Sequence, residues 1–174
     1  MKKALLLISL NLVAVAKNNV YLYNCPVEYS LMYAIAMNER HPKKEIGYPF
    51  IISFNGKLPA TLEKVLIEYG LIKLDDRSFD CKNLRKCIVA TTYLIDKGFK
   101  NLDLGAYQIN YKYHKFELLS YFSLKESYKK ACSILVDNIA KYGYSLKAIA
   151  GYHSFTKKHN LKYAKKILKG LRHE

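Results

Sequence analysis

A glutamate at the end of an apolar, helix-like segment has a setting that suits acid catalysis. Glu39 closes the segment AIAMNE, directly before the HPKK stretch where the helical pattern stops. Because partly apolar surroundings disfavour the charged form of a carboxyl group, such a group can hold its proton near neutral pH and act as a general acid. Protonating the departing oxygen of a glycosidic bond requires a group of this kind. The alternative interpretation is a solvated glutamate paired with Arg40 or Lys43.

The segment NLDLGAYQIN contains a second group of residues suited to binding. Gly105 permits a tight backbone turn. The residues after it supply one aromatic ring and two amides, those of Tyr107, Gln108 and Asn110. Saccharide sites use ring faces for stacking and amides for hydroxyl and N-acetyl groups, so we expect these side chains to line a sugar-binding groove. Asp103 is expected to stabilise the turn, and the alternative for the two amides is that they satisfy backbone groups.

The segment AIAGYHS, residues 148–154, forms a third cluster. It places Tyr152 after an apolar helical stretch. A tyrosine in this setting is more often a core residue whose hydroxyl finds a local partner. The segment therefore points to a function only in combination with the other two.

Hydrophobic periodicity predicts that mostly helices position these clusters. Helical segments are expected over 26–41, 61–70, 82–97, 123–142, 145–153 and 161–172. Residues 50–54 are β-prone and end at an Asn55-Gly56 turn signal. The pattern indicates a mainly α domain with at most a small β hairpin.

The N-terminus has the three parts of a secretory signal peptide. Lys2 and Lys3 precede an apolar run over 4–15, which ends in small residues. We expect cleavage after Ala16, leaving one domain over 17–174 in the periplasm. The alternatives are a buried N-terminal helix and an uncleaved anchor. No later segment is long and apolar enough to predict a membrane span.

Four cysteines lie after the expected cleavage site, and an oxidising compartment would allow them to form disulfides. Four cysteines permit three pairings. The short stretch CKNLRKC favours a local pair of Cys81 with Cys87, which leaves Cys25 with Cys132 as a long-range link. A zinc site is the competing idea, but the chain has no Cys-x-x-Cys pair, so we expect no metal.

The chain is strongly basic, with 29 Lys and Arg against 14 Asp and Glu and a formal charge of +15. This bias indicates an anionic partner or surface. Outside the inner membrane, the candidates are the cell-wall polymer and phospholipid head groups. The alternative is that solvated lysines mainly maintain solubility. We expect no nucleic-acid partner, because no recognised binding motif accompanies the interleaved Tyr and Lys.

Taken in order after a signal peptide, the three clusters resemble the catalytic domain of the soluble lytic transglycosylases, a lysozyme-like helical family. AIAMNER is similar to the family's Ala-Ile-x-x-x-Glu motif, GAYQIN to its Gly-Leu-Met-Gln-Ile-Asn motif and AIAGYHS to its Ala-Tyr-Asn segment. NLDL is similar to the Asn-x-Asp-x-Gly form typical of members attached to type IV secretion or conjugation systems. The resemblance covers residues 25–165.

The resemblance implies a lyase that cleaves the β-1,4 bond between N-acetylmuramic acid and N-acetylglucosamine in peptidoglycan, leaving 1,6-anhydromuramyl ends. Glu39 would act as acid and then base, without a cofactor. Gln108 and Asn110 would orient the substrate's acetamido group or the backbone near the cleavage point, and Tyr152 would hold Glu39 or the sugar. The implied partners are peptidoglycan strands and components of an envelope secretion system.

Five positions depart from the family's pattern. Arg40 replaces the usual Ser, His153 replaces the Asn of the third segment, and Phe155 stands where Gly is common. Ala106 and Tyr107 replace Leu-Met. Two other functions therefore stay open. One is a lysozyme-type muramidase on the same fold, which would need a second carboxylate or a positioned water; Asp103 is the nearest candidate for that carboxylate, although its place before Gly105 suits a turn-stabilising role better. The other is a catalytically weak wall-binding assembly subunit.

Overall fold

The structure is a computed structural model that describes residues 24–172. Within that range the chain forms seven helices and five short strands. The helices are α1 (Tyr29–Glu39), α2 (Ala60–Glu68), α3 (Leu84–Asp96), α4 (Leu118–Phe122), α5 (Leu124–Tyr142), α6 (Leu146–Ala150) and α7 (Lys157–Leu171). The strands are β1 (Ile51–Phe54), β2 (Ile72–Lys73), β3 (Ser78–Asp80), β4 (Leu102–Leu104) and β5 (Ile109–Asn110). About half of the described residues are helical, which confirms the mainly α class.

The five strands form one antiparallel sheet in the order β2-β3-β1-β4-β5. This sheet is larger than the single hairpin that the sequence predicts. The segment NLDLGAYQIN contributes β4, β5 and the turn that joins them. Each strand is only two to four residues long, so the period-two alternation that identifies strands has little room to show in the sequence.

The register of the sheet separates a polar row from an apolar row. Ser53 on the central strand β1 pairs with Ser78 on one side and with Asp103 on the other, and Asp103 pairs in turn with Asn110. The adjacent row across the same strands is apolar, and all of its residues are buried. From β3 to β5 it consists of Phe79, Ile52, Leu104 and Ile109. Because neighbouring residues of a strand point to opposite faces, one face of the sheet packs on the core and the other carries polar side chains.

Helix α1 ends at Glu39, before the position that the sequence predicts. Arg40 already has an extended backbone, with φ −62° and ψ 144°, and its N–H closes the last turn on the Ala36 carbonyl at 3.0 Å. Pro42 disfavours the helical conformation at the residue before it, and the chain leaves the helix two residues earlier. Glu39 is therefore the last helical residue.

The helices pack around one core through pairwise contacts. Helix α7 packs against α1 and α6, and α5 packs against α4 and α6. Gly170 of α7 lies close to α1, because a Cβ atom there would come within 2.6 Å of the Met37 side chain and 3.4 Å of the Ala34 Cβ. This contact holds the basic helix α7 beside the end of α1 that carries Glu39.

Two disulfides link the chain as the sequence predicts. Cys81 pairs with Cys87, and Cys25 pairs with Cys132 across 107 residues. Disulfides persist in oxidising compartments, so both are compatible with a location outside the cytoplasm. The expected signal peptide, residues 1–16, lies outside the described residues. Among residues 24–172, no helix has the length and apolar character that crossing a membrane requires.

Candidate active site

A groove of about 940 Å³ lies where the end of α1, the polar face of the sheet and the segment between α6 and α7 meet. The side chains that line it include Glu39, Ser53, Ser78, Asp103, Gln108, Asn110 and Tyr152. The three clusters found in the sequence therefore come together in one cavity. Tyr107 is the exception.

Glu39 is a buried carboxyl group with an unsatisfied oxygen. Its side chain is 12% exposed, and among the described residues Oε1 has no hydrogen-bond partner. Burial raises the pKa of Glu39 from 4.5 to about 7, and the Asp103 carboxylate adds to the rise. The Tyr163 hydroxyl and the Lys166 ammonium oppose it. Glu39 can therefore hold a proton at neutral pH and release it to a group that enters the groove.

The solvated ion pair considered as the alternative for Glu39 is not what the structure contains. Arg40 donates instead to the Lys44 carbonyl at 3.2 Å, and Lys43 donates to the Leu74 carbonyl at 2.5 Å. A basic side chain that does approach Glu39 is that of His153, whose Nδ1 lies 3.9 Å from Glu39 Oε1. Desolvation, and then the positive charge of Lys166, lower the pKa of His153, so this contact is not an ion pair at neutral pH.

Tyr163 of α7 lies behind the Glu39 carboxyl. Its hydroxyl is close enough to lower the pKa of Glu39, yet it is buried without a hydrogen bond of good geometry among the described residues. The His153 ring stacks on the Tyr163 ring, with centroids 4.9 Å apart and planes within 5°. Helix α7 thus supplies a wall for Glu39 that the sequence motifs do not indicate.

Asp103 faces the same groove from the sheet. Its Oδ1 accepts a hydrogen bond from the Asn110 amide at 2.7 Å, and its Oδ2 accepts one from the Asn55 amide. Burial raises the pKa of Asp103, whereas these two amides and the Arg77 guanidinium oppose the rise. Besides the turn-stabilising role that the sequence predicts for it, Asp103 is a groove-lining carboxylate that acts electrostatically on Glu39.

The turn between β4 and β5 depends on Gly105. This residue has φ +76°, and a Cβ atom there would lie 1.8 Å from the Tyr121 carbonyl oxygen. Gln108 also has a positive φ, of +45°, and its amide donates to the Gly105 carbonyl at 2.8 Å. Gln108 and Asn110 therefore both satisfy groups of their own hairpin while they line the groove.

The prediction that Tyr107 contacts a sugar is wrong. Tyr107 is 0% exposed, lies in the core and packs edge-on against Tyr128, with ring centroids 6.0 Å apart. The tight turn directs the residue before Gln108 inward, where its ring fills space between the sheet and α5. An aromatic ring does border the groove in this region, but it belongs to Tyr113, which is 71% exposed.

Tyr152 lines the groove, but its hydroxyl is already engaged. The hydroxyl donates to the backbone carbonyl of Tyr107 at 2.8 Å. Burial and then the nearby Glu39 carboxylate raise the pKa of Tyr152 well above 10, so the hydroxyl stays protonated and remains a donor. Tyr152 therefore positions the hairpin that carries Gln108 and Asn110.

Several residues that line the groove lie outside the three sequence motifs. Asn55, Arg77, Tyr113, Asn138 and Phe155 all line the groove. The sequence indicates Asn55 only as a turn residue and Phe155 only as a departure from the family's pattern. No local signal identifies Arg77, Tyr113 and Asn138, because they reach the groove from three separate segments. Within residues 24–172, no group of three or more His, Cys, Asp or Glu side chains is arranged to hold a metal ion.

Comparison of the chain with protein-family models, with curated proteins and with solved structures finds no match. The function must therefore be inferred from the groove itself.

Proposed function

We propose that this protein cleaves the β-1,4 bond between N-acetylmuramic acid and N-acetylglucosamine in peptidoglycan, with Glu39 as the general acid. The observation that carries the proposal is the Glu39 carboxyl, which lines the groove with only 12% of its side chain exposed and has a pKa of about 7. Its Oε1 is buried and has no hydrogen-bond partner within residues 24–172. An acid with this pKa is poised to protonate a departing glycosidic oxygen near neutral pH.

The shape and lining of the groove suit a saccharide chain. The groove is open rather than enclosed and combines amides with exposed rings, including Gln108, Asn138, Tyr113 and Phe155. Amides bind hydroxyl and N-acetyl groups, and exposed ring faces stack on sugars. Tyr113 takes the stacking role that the sequence pattern assigned to Tyr107.

The charge of the chain favours an anionic glycan over a neutral one. The whole chain carries +15, whereas the groove itself is lined by three basic and three acidic side chains: Arg40, Arg77 and Lys166 against Glu39, Asp75 and Asp103. Peptidoglycan bears carboxylates on its peptide stems, or on its lactyl groups where stems are absent, whereas a neutral polysaccharide has none. The excess positive charge of the chain would draw the anionic polymer to the protein. The two disulfides are compatible with work in the periplasm.

The resemblance to lytic transglycosylases favours a reaction without water. Protonated Glu39 donates to the glycosidic oxygen, the bond from that oxygen to the muramyl anomeric carbon breaks, and the substrate's own acetamido oxygen bonds to that carbon. Glu39, now ionised, takes the proton from the muramyl 6-hydroxyl, whose oxygen displaces the acetamido oxygen. The products are a 1,6-anhydromuramyl end and a free 4-hydroxyl, and Glu39 regains its proton.

A second candidate reaction is hydrolysis, and the position of Asp103 favours it. A retaining or inverting glycosidase uses two carboxyl groups that flank the scissile bond. Asp103 lines the groove and raises the pKa of Glu39, so the two groups act on one another across the cavity. Burial raises the pKa of Asp103, but the amide hydrogen bonds that both of its oxygens accept favour the ionised form, which would stabilise positive charge at the anomeric carbon.

The test is mass spectrometry of fragments that the purified protein releases from peptidoglycan, with Glu39→Gln as the control. Anhydromuramyl ends that disappear in the variant would support the transglycosylase reaction. Reducing muramyl ends, one water heavier and lost in both Glu39→Gln and Asp103→Asn, would identify a hydrolase. Turnover that survives Glu39→Gln would refute the assignment of Glu39.

Binding to the wall without any release would instead indicate an assembly subunit. The similarity of NLDL to the secretion-associated motif supports a role in opening the wall locally for an envelope apparatus. Binding of the protein to such an apparatus is tested separately, by pull-down, because the cleavage chemistry does not depend on that binding.

A further inference from the structure

A second cavity opens beside the groove and has a different character. It has a volume of about 440 Å³ and lies at the end of the sheet where β1 finishes and β4 begins. Its apolar wall is formed by Phe54, Phe99 and Leu102, of which Phe54 and Leu102 are 3% and 1% exposed. We call this cavity the side pocket.

Three lysines surround the side pocket. Lys57, Lys100 and Lys112 all line it and are exposed. In the described part of the chain, none of the three forms an ion pair, although the Lys112 ammonium lies 5.6 Å from the centroid of the Tyr113 ring. Like charges gathered at one cavity repel each other, and an anionic ligand would relieve that repulsion.

The side pocket is continuous with the groove. Asn55 and Asn101 line both cavities. The Asn55 N–H donates to the Asn101 carbonyl at 3.2 Å, and the Asn101 side chain accepts from the Asn110 amide at 2.9 Å. Asn55 also donates to Asp103. A ligand in the side pocket is therefore separated from the candidate active site by a single pair of asparagines.

We propose that the side pocket binds the carboxylate-bearing peptide stem of a muramyl residue whose glycan chain lies in the groove. This inference rests on the proposed function. Peptide stems combine short apolar side chains with carboxylates, which matches an apolar wall surrounded by ammonium groups. A concave site of this volume admits a few residues of a peptide and does not admit a planar bilayer. The protein would accordingly prefer glycans that keep their stems.

The test measures binding by calorimetry in the Glu39→Gln background, where turnover does not consume the ligand. The two probes are a short GlcNAc–MurNAc oligosaccharide with tetrapeptide stems and the same oligosaccharide after removal of its stems. The variant is Lys57→Gln/Lys100→Gln/Lys112→Gln. The matched control is Lys158→Gln/Lys165→Gln/Lys169→Gln, which removes the same charge from exposed positions of α7 that line neither cavity.

The probe with stems is expected to bind roughly tenfold more tightly than the probe without stems, because three exposed charge contacts each add a small amount to the binding free energy. This preference should be lost in the side-pocket variant and kept in the α7 variant. Equal binding of both probes by the parent protein would overturn the inference that the side pocket binds stems, while leaving the proposed function in place. Failure of both probes to bind would overturn both.

Two further results would also contradict the inference. One is a stem preference that falls equally in the two lysine variants, which would reflect net charge rather than a site. The other is a single-stranded oligonucleotide that competes with the stem-bearing probe and loses affinity in the side-pocket variant, which would indicate a general polyanion site. Thermal unfolding of each variant establishes that it is folded.

Discussion

The Tyr152 hydroxyl donates a hydrogen bond of 2.8 Å to the backbone carbonyl of Tyr107. This bond joins two segments that stand 45 residues apart in the chain and that the sequence presents as separate motifs. Tyr107 fills the core, and the residue after it turns back into the groove. The hydrogen bond therefore holds in place the hairpin that brings Gln108 and Asp103 opposite Glu39.

Replacing Tyr152 by Phe should destabilise the protein by about 1–3 kcal/mol, because within residues 24–172 no other donor bonds to the Tyr107 carbonyl, which would be left buried and unpaired. Chemical denaturation measures the change. Tyr144→Phe, at a residue that is 66% exposed, is the control and should have little effect. A Tyr152→Phe protein of unchanged stability that has lost cleavage would mean that the hydroxyl acts on the substrate instead.

The rate of cleavage should depend on the protonation of Glu39. Since the general acid must carry its proton, kcat/KM is expected to fall about tenfold per pH unit above a pKa near 7. Lys166→Gln removes a charge that lowers this pKa and should shift the fall to higher pH, whereas Asp103→Asn should shift it to lower pH. Lys169→Gln on the same helix is the control. A pH profile that none of these changes moves would assign the titration to another group.

The same pKa affects folding stability. Because burial raises the pKa of Glu39 from 4.5 to about 7, the folded state binds the proton more tightly than the unfolded chain. The tighter binding of this proton contributes about 3 kcal/mol to the free energy of unfolding. The contribution is fully present below pH 4.5 and is lost as pH rises through about 7.

Glu39→Gln removes this pH dependence. The variant should therefore gain up to about 3 kcal/mol relative to the parent between pH 4.5 and pH 8. Denaturation curves across this range measure the gain. Glu68→Gln, at a side chain that is 60% exposed, controls for the loss of a carboxyl group. A constant difference between Glu39→Gln and the parent would show that Glu39 is not desolvated.

Gly105→Ala should unfold the hairpin, since the new Cβ atom would overlap a backbone oxygen of Tyr121 that cannot move independently. We expect a loss of about 3 kcal/mol or more. Gly143 has nearly the same φ, +73°, but a Cβ atom there would meet nothing within 4 Å. Gly143→Ala should therefore cost only the backbone strain, about 1–2 kcal/mol. Equal losses in the two variants would remove the steric argument.

The two disulfides should contribute unequally to stability. A cross-link across 107 residues restricts the unfolded chain far more than one across six. Replacing Cys25 and Cys132 by Ser is expected to cost about 5 kcal/mol, and replacing Cys81 and Cys87 about 2 kcal/mol. Urea unfolding of the two double variants gives the comparison. A larger loss for the short pair would mean that local geometry outweighs loop entropy.

Much of the local structure follows from residues that are neighbours in the sequence. Pro42 ends α1 close to Glu39, Gly105 makes the turn, and the short spacing of Cys81 and Cys87 selects their pairing. Each of these depends on backbone sterics or on a short loop, which a few adjacent residues determine. The helical class follows in the same way from hydrophobic periodicity.

The tertiary structure decided which side chains face the groove. Tyr107 and Gln108 are adjacent, yet one lies in the core and the other lines the cavity, and only the positive φ of the turn separates them. The five-stranded sheet was not predicted because its strands are too short to show alternation, and its register alone sets Asp103 between Ser53 and Asn110.

The sequence by itself determined that a helix ends close to Glu39 and that Gly105 makes a tight turn, because bond geometry and local sterics decide both. It could not determine the pKa of Glu39, which depends on burial and on Asp103, Tyr163 and Lys166. These residues reach the carboxyl from a strand and from α7. The pKa of a carboxyl group depends on all the charges, hydrogen bonds and solvent around it. Only folding brings those distant residues within range of Glu39.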